Sequence, residues 1–449
     1  MKRLAAWRES LHGEPGLLRL AAVVLVITAV ALGAVTNRSL DGMRVLVTTI
    51  GRDSAPSVVL AGQIRESLAS MDVNAVNGYL PGAPKDAYAE LEDHKETLVA
   101  QLMQAADNVT FGESELAPIR ALISGLADYM GYARAANMMG YPDGIPAQLK
   151  ASQLLHQQLL PAGEELDRAN LTPLEASARY VEEHDFSLGM KLIGWSLVAM
   201  LAAVQVIVAI RFRRVFNPPI ALAFVLLLVM LWRVDTTLES TQATLREGVQ
   251  DAFISSHAIS KARALAKDAN GDESLYLLNA GDPAAQAYAE EAFKEKITHL
   301  FSGPVTTRVR DQFVAAFDRH EKLPYDGYFA DAMNNVTFEG EEKLALMALD
   351  ALKRYLEVDS RVRDLERAGQ HAQAIQLALG NNPGESNYAF DELDRSLAAL
   401  SKLNQLEFER RITDVRLRLR DAEILAGAIP ALVAFLCFIG LRIRIKEFA

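Results

Sequence analysis

Residues 192–232 read LIGWSLVAMLAAVQVIVAIRFRRVFNPPIALAFVLLLVMLW. Two apolar runs, 192–210 and 219–232, flank a basic turn carrying Arg211, Arg213 and Arg214 and closing on Asn217-Pro218. A helix needs about 20 apolar residues to cross ~30 Å of hydrocarbon. The stretch therefore predicts two membrane spans joined by a short hairpin. Apolar runs near each end of the chain add two more, giving spans at 20–36, 189–210, 219–234 and 424–441. The shorter ones are extended by the snorkelling side chains of Arg19 and Arg233.

Basic residues set the expected orientation. Lys2, Arg3, Arg8 and Arg19 precede the first span, the three arginines lie in the central hairpin, and Arg442, Arg444 and Lys446 follow the last span. The positive-inside rule puts the tails 1–19 and 442–449 and the hairpin 211–218 in the cytoplasm. Segments 37–188 and 235–423 then face outward. The competing reading of the first span is a cleaved signal peptide, with Ala29-Val30-Ala31 as the processing site. Its correspondence to the third span, which cannot be a leader, argues against that.

The correspondence comes from an internal repeat. Asn108-Val109-Thr110-Phe111 recurs as Asn335-Val336-Thr337-Phe338, and Glu165-Leu166-Asp167-Arg168 recurs as Glu392-Leu393-Asp394-Arg395, both at a spacing of 227. The helix leaving each span is expected to break near Pro56 in the first half. It is expected to end in an Asp/Asn turn, Met71-Asp72-Val73-Asn74 in one half and Lys267-Asp268-Ala269-Asn270 in the other, at a spacing of 196. The difference between spacings predicts an insertion of about 30 residues within 294–331. Thr172-Pro173-Leu174-Glu175 reads as a capping box opening the last helix of the first half. Strand signals are weak. The expected fold class is all-α: a membrane protein with four transmembrane helices and two tandem extracytoplasmic helical bundles.

Composition narrows the function. The 449 residues carry a net charge of −11, against a nucleic-acid partner, and one cysteine, Cys437, so no intrachain disulfide. No phosphate loop, zinc-protease helix, nucleophile elbow or kinase signature is present. The expectation is a protein that is not an enzyme and carries neither cofactor nor metal. Asn108, Phe111, Asn335 and Phe338 are candidate ligand contacts; the plainer reading has each Asn capping a helix and each Phe plugging a bundle. Arg168 and Arg395 suit a ligand carboxylate, against the plainer reading of a surface bridge within one helix. Arg211, Arg213 and Arg214 are candidate contacts for a cytoplasmic partner or acidic lipid, although topology alone accounts for their charge.

Each half resembles the four-helix-bundle input domains of bacterial chemoreceptors and sensor kinases, down to the late segment Gln157-Gln158-Leu159-Leu160-Pro161-Ala162-Gly163-Glu164-Glu165-Leu166. It departs from them in showing no HAMP, methylation or kinase domain after a span. The whole, with four spans and the Arg213-Arg214-Val215-Phe216-Asn217-Pro218-Pro219 approach to the third, resembles the actinobacterial GlnX-like four-span membrane signalling proteins. That resemblance implies a relay of amino-acid availability, glutamate or aspartate, from a solute-binding lipoprotein outside to a Ser/Thr kinase inside. The spans and basic flanks predict a multi-pass protein of the cell membrane with both termini cytoplasmic, in contact with lipid and open to homo-oligomer formation. The alternative is a structural or scaffolding envelope protein that binds other membrane proteins constitutively.

Overall fold

The computed structural model describes residues 14–83, 87–212 and 217–446. These residues are helical apart from short connections, and no strand occurs among them. Four helices are long and apolar enough to cross a membrane. The apolar runs fall in α1 (Glu14–Thr48), α7 (Leu188–Phe212), α8 (Pro218–Glu247) and α15 (Ser386–Lys446). This is an all-α, multi-pass membrane protein.

The chain forms two compact units. The first comprises Met1–Thr49, Ser177–Arg246 and Arg410–Ala449, and so holds the apolar runs. Its helices pack through small residues. Gly33 of α1 lies against Pro430 of α15, and Gly194 of α7 lies against Leu231 of α8. Asn217 donates to the carbonyl of Gly440 at 3.2 Å, and Lys191 pairs with Asp235 at 2.7 Å. Ile27, Val30, Trp195, Ile207, Val229 and Phe435 point outward, a surface that hydrocarbon tolerates and water does not.

The second unit comprises Ile50–Ala176 and Glu247–Glu409, one segment from each half. The first segment contributes α2 (Ala55–Tyr79), α3 (Ala87–Asp107), α4 (Glu113–Met139), α5 (Ile145–Leu154) and the start of α6 (Leu160–Glu183). The second contributes α9 (Ile254–Leu278), α10 (Pro283–Leu300), α11 (Thr307–Arg319), α12 (Tyr328–Met333), α13 (Glu341–Arg367), α14 (His371–Leu379) and the start of α15. Helices α11 and α12 have no counterpart between α3 and Asn108.

Each segment has its own apolar core. One gathers Ile64, Leu68, Leu122, Tyr129, Leu155 and Leu166. The other gathers Ile259, Phe293, Phe329, Leu352, Tyr355 and Leu397. A third cluster mixes both halves, packing Val76, Tyr79 and Ala136 with Tyr276, Leu277 and Ile375. The two segments therefore bury surface against each other along α2 and α9. Gly62 of α2 lies against Ser260 of α9: a methyl group there would collide with the Ser260 hydroxyl.

Three local expectations are corrected. Helices α2 and α9 do not end at Asp72 or Asp268 but run on to Tyr79 and Leu278. The side chains of Asp72, Asp268 and Asn270, which would have turned the backbone, are engaged with other helices instead. The chain does not break at Pro56; a π-helical turn at Thr49–Ser54 precedes it, and a second at Gly248–Phe253 precedes α9 without any proline. Thr172-Pro173 does not open a helix, because α6 runs through it. Asn170 and Thr172 bond carbonyls four residues back, at 2.9 Å each, so the helix continues on both sides of the proline.

Candidate ligand-binding site

The repeated Asn-Val-Thr-Phe loop clamps the foot of α2 and α9. Asn335 Nδ2 donates to the carbonyls of Gln250 (2.8 Å) and Asp251 (3.0 Å) in the π turn, and to the Ser255 hydroxyl (2.8 Å). Asn108 Nδ2 donates to the Ser57 hydroxyl, also at 2.8 Å. A π turn displaces carbonyls from the helical ladder, and Asn335 supplies the missing donor. Neither Asn caps a helix N-terminus: Asn108 follows the end of α3 and Asn335 the end of α12. Phe111 and Phe338 are half-buried rather than plugs. Each loop is fixed from the next helix, since the Glu115 carboxylate accepts from the amides of Thr110 (2.8 Å) and Phe111, and that of Glu341 from Thr337 (2.9 Å). Burial pushes the Glu341 carboxyl up to about 7.

In the repeated Glu-Leu-Asp-Arg, the Arg is peripheral. Arg168 is 71% exposed and reaches only Glu164, at 3.8 Å. Arg395 donates to its own helix at the carbonyl of Asp391, 3.0 Å away. The structure does not bring either arginine to Asn108, Phe111, Asn335 or Phe338. Arg211 lies at the end of α7, while Arg213 and Arg214 lie outside the described residues.

The Asp is what matters. Asp167, 2% exposed, meets His257 at 2.8 Å and Lys261 at 3.4 Å across the two halves. Burial alone would raise its carboxyl, but the His257 bond and the nearby cations hold it below the usual range. Asp394 receives Arg263 at 2.9 Å and Lys267 at 3.1 Å, and Arg263 also reaches Glu66 at 2.6 Å. Farther along, His156 of the first half pairs with Asp268 of the second at 2.8 Å, and Lys296 joins Asp268 (3.0 Å) to Asp272 (2.6 Å). Burial works against the His156 imidazolium, but the Asp268 bond outweighs it and its pKa is pushed up to about 9. The seam between the halves is thus laced with buried, paired charge.

Beyond these pairs, beside the α2–α9 contact, residues of α2, α3, α9 and α15 surround a cavity of about 430 Å³. Both halves line it. Its buried members are Asn270, Val73 and Phe390, with Lys267, Asn74 and Asn77 half-buried and Glu90, Asn381 and Asp391 at the exposed rim. The Lys267 ammonium lies 5.9 Å above the Phe390 ring while bound to Asp394. Burial, with Lys267 nearby, lowers the His94 imidazole pKa and favours its neutral form. Burial also raises the Asp391 carboxyl. The volume falls in the range of small-molecule sites. The sequence marked Asn74, Lys267 and Asn270 only as turn residues and gave no sign of a cavity, because the wall is assembled from separate helices.

Residues 46–179 match the family described as the actinobacterial sensor domain. No curated protein and no solved structure matches the chain. The match covers the first half's contribution to the second unit, and with it goes a sensing and signalling role.

Proposed function

We propose that the chain is a non-enzymatic transmembrane signal relay whose input is a small solute held between α2 and α9. The observation that carries the reading is that the sensor-domain match includes α2, one wall of the polar cavity. The second half supplies the other wall, so the duplicated segment completes the site rather than forming a second one.

The relay follows from chain continuity. Helix α15 is unbroken from 386 to 446, and α2 and α9 continue from α1 and α8 through π turns. Axial shifts of ~1–2 Å at packed helices are typical of switches of this kind. Both halves face outward and both termini inward, as the basic tails and hairpin direct. The solute arrives free or with a solute-binding lipoprotein. The hairpin and tails report to a cytoplasmic partner such as a Ser/Thr kinase.

The test uses the full chain in lipid nanodiscs. Thermal shift against solutes, with and without candidate binding proteins, should reveal a stabilising ligand. Lack of any ligand-dependent shift, together with constitutive capture of other membrane proteins, would favour a scaffold instead.

A further inference from the structure

We propose that the cavity between α2 and α9 takes a neutral polyhydroxylated solute, a sugar or cyclitol, in preference to an ionic one. The inference rests on the reading of this cavity as the sensor's ligand site and names what fills it.

Charge is the first argument. A ligand carboxylate that enters a half-buried site gives up hydration and needs a counter-charge in return. Among the described residues that line it, the cavity has none to spare. Lys267 is bound by Asp394 at 3.1 Å, and burial favours neutral His94. A ligand ammonium fares no better at depth, where the Lys267 cation sits over Phe390. The carboxylates of Glu90 and Asp391 lie at the exposed rim, where they can accept bonds from hydroxyl groups.

Hydrogen bonding is the second. Five asparagines line the cavity: Asn74, Asn77, Asn270, Asn381 and Asn387. Their existing bonds leave a mixture of donors and acceptors. Asn77 Oδ1 accepts from Ser274 and Asn270 Oδ1 from Tyr355, so each keeps its Nδ2 for a ligand. Asn387 Nδ2 donates to the Leu379 carbonyl at 3.1 Å, which leaves its Oδ1. Asn74 and Asn381 make no side-chain hydrogen bond among the described residues, so both ends of each amide are open. A hydroxyl both donates and accepts, and a ring of hydroxyls matches a mixed amide lining in a way that a carboxylate, which only accepts, does not.

The experiment is calorimetric titration of the full chain in nanodiscs. The probes are glucose, trehalose and myo-inositol on one side and L-glutamate, citrate and putrescine on the other. Each is repeated with Asn74→Ala and Asn381→Ala, which break no bond of the unliganded protein and should leave its melting temperature unchanged. The expected result is that a neutral probe binds tightest and that Asn74→Ala weakens it about tenfold. If an ionic probe binds tightest and Asn74→Ala weakens it, the solute class is overturned while the site stands. If neither substitution weakens any probe, the site itself is wrong and the solute class falls with it.

Discussion

Asp167 of α6 and His257 of α9 are joined across the two halves, with His257 Nε2 at 2.8 Å from one carboxylate oxygen and 3.0 Å from the other. Lys261 lies 3.4 Å away on the same helix as His257. Removing the carboxylate leaves Lys261 without its buried counter-charge and His257 without its hydrogen-bond partner, at about 3 kcal/mol or more. Asp167→Ala should therefore lower the melting temperature of the nanodisc-embedded chain by several degrees. Arg168→Ala, one residue on, removes only an exposed 3.8 Å pair and should cost under about 0.5 kcal/mol. The reverse ranking would mean that the repeated Glu-Leu-Asp-Arg has been assigned to the wrong side chain.

The two loop asparagines should differ in weight. Asn335 makes three bonds, two of them to carbonyls of the π turn, whereas Asn108 makes one. Asn335→Ala should cost about 2 kcal/mol and Asn108→Ala about 1. Amide exchange at 248–253 should quicken in Asn335→Ala; unchanged protection there would show that the clamp does not hold the turn.

Glu341 gives stability a component that grows on acidification. Burial raises its folded pKa from 4.5 to about 7. The folded state therefore holds the proton more tightly than the unfolded chain, and this component rises as pH falls from 7 towards 4.5. Glu341→Gln keeps an acceptor for Thr337 without the charge. It should stabilise the protein at pH 8 by ~2 kcal/mol and flatten this part of the profile. Thermal melts from pH 4.5 to 8 check both.

His156 acts at the alkaline end with a slope of the same sign. Its folded pKa of about 9 lies above the ordinary 6.5. Its stabilising pair with Asp268 is fully present below 6.5 and is lost as pH rises through 9. In His156→Gln the decline between pH 6.5 and 9 should be shallower; an unchanged decline would show that the pair carries no linkage.

Much of the fold was legible in the sequence, for physical reasons. Spans announce themselves because hydrocarbon accepts only apolar surface, and the repeated tetrapeptides mark the loops that fix the first helix of each half. The misread positions share one cause. Local sequence has Asp72 turning the backbone, but it accepts from Tyr129 (2.8 Å) and Ser152 (2.9 Å) inside a continuous helix. Its structural counterpart is Asn270, which accepts from Tyr355, at a spacing of 198 rather than the 196 that matched Asp with Asp. A polar side chain's partner on another helix is invisible to local sequence. The cavity was hidden for the same reason: its asparagines are scattered from 74 to 387 and meet only when α2 packs on α9.

The account stands on both halves lying on the same outer side of the membrane. Cys437 is the single cysteine, so replacing it with Ala gives a clean background for cysteines introduced singly at the exposed positions Arg168, Arg395 and Lys446. In intact spheroplasts a membrane-impermeant maleimide should label positions 168 and 395 at once, and position 446 only after permeabilisation. Labelling at 446 in intact cells, or protection of either 168 or 395, would contradict the relay.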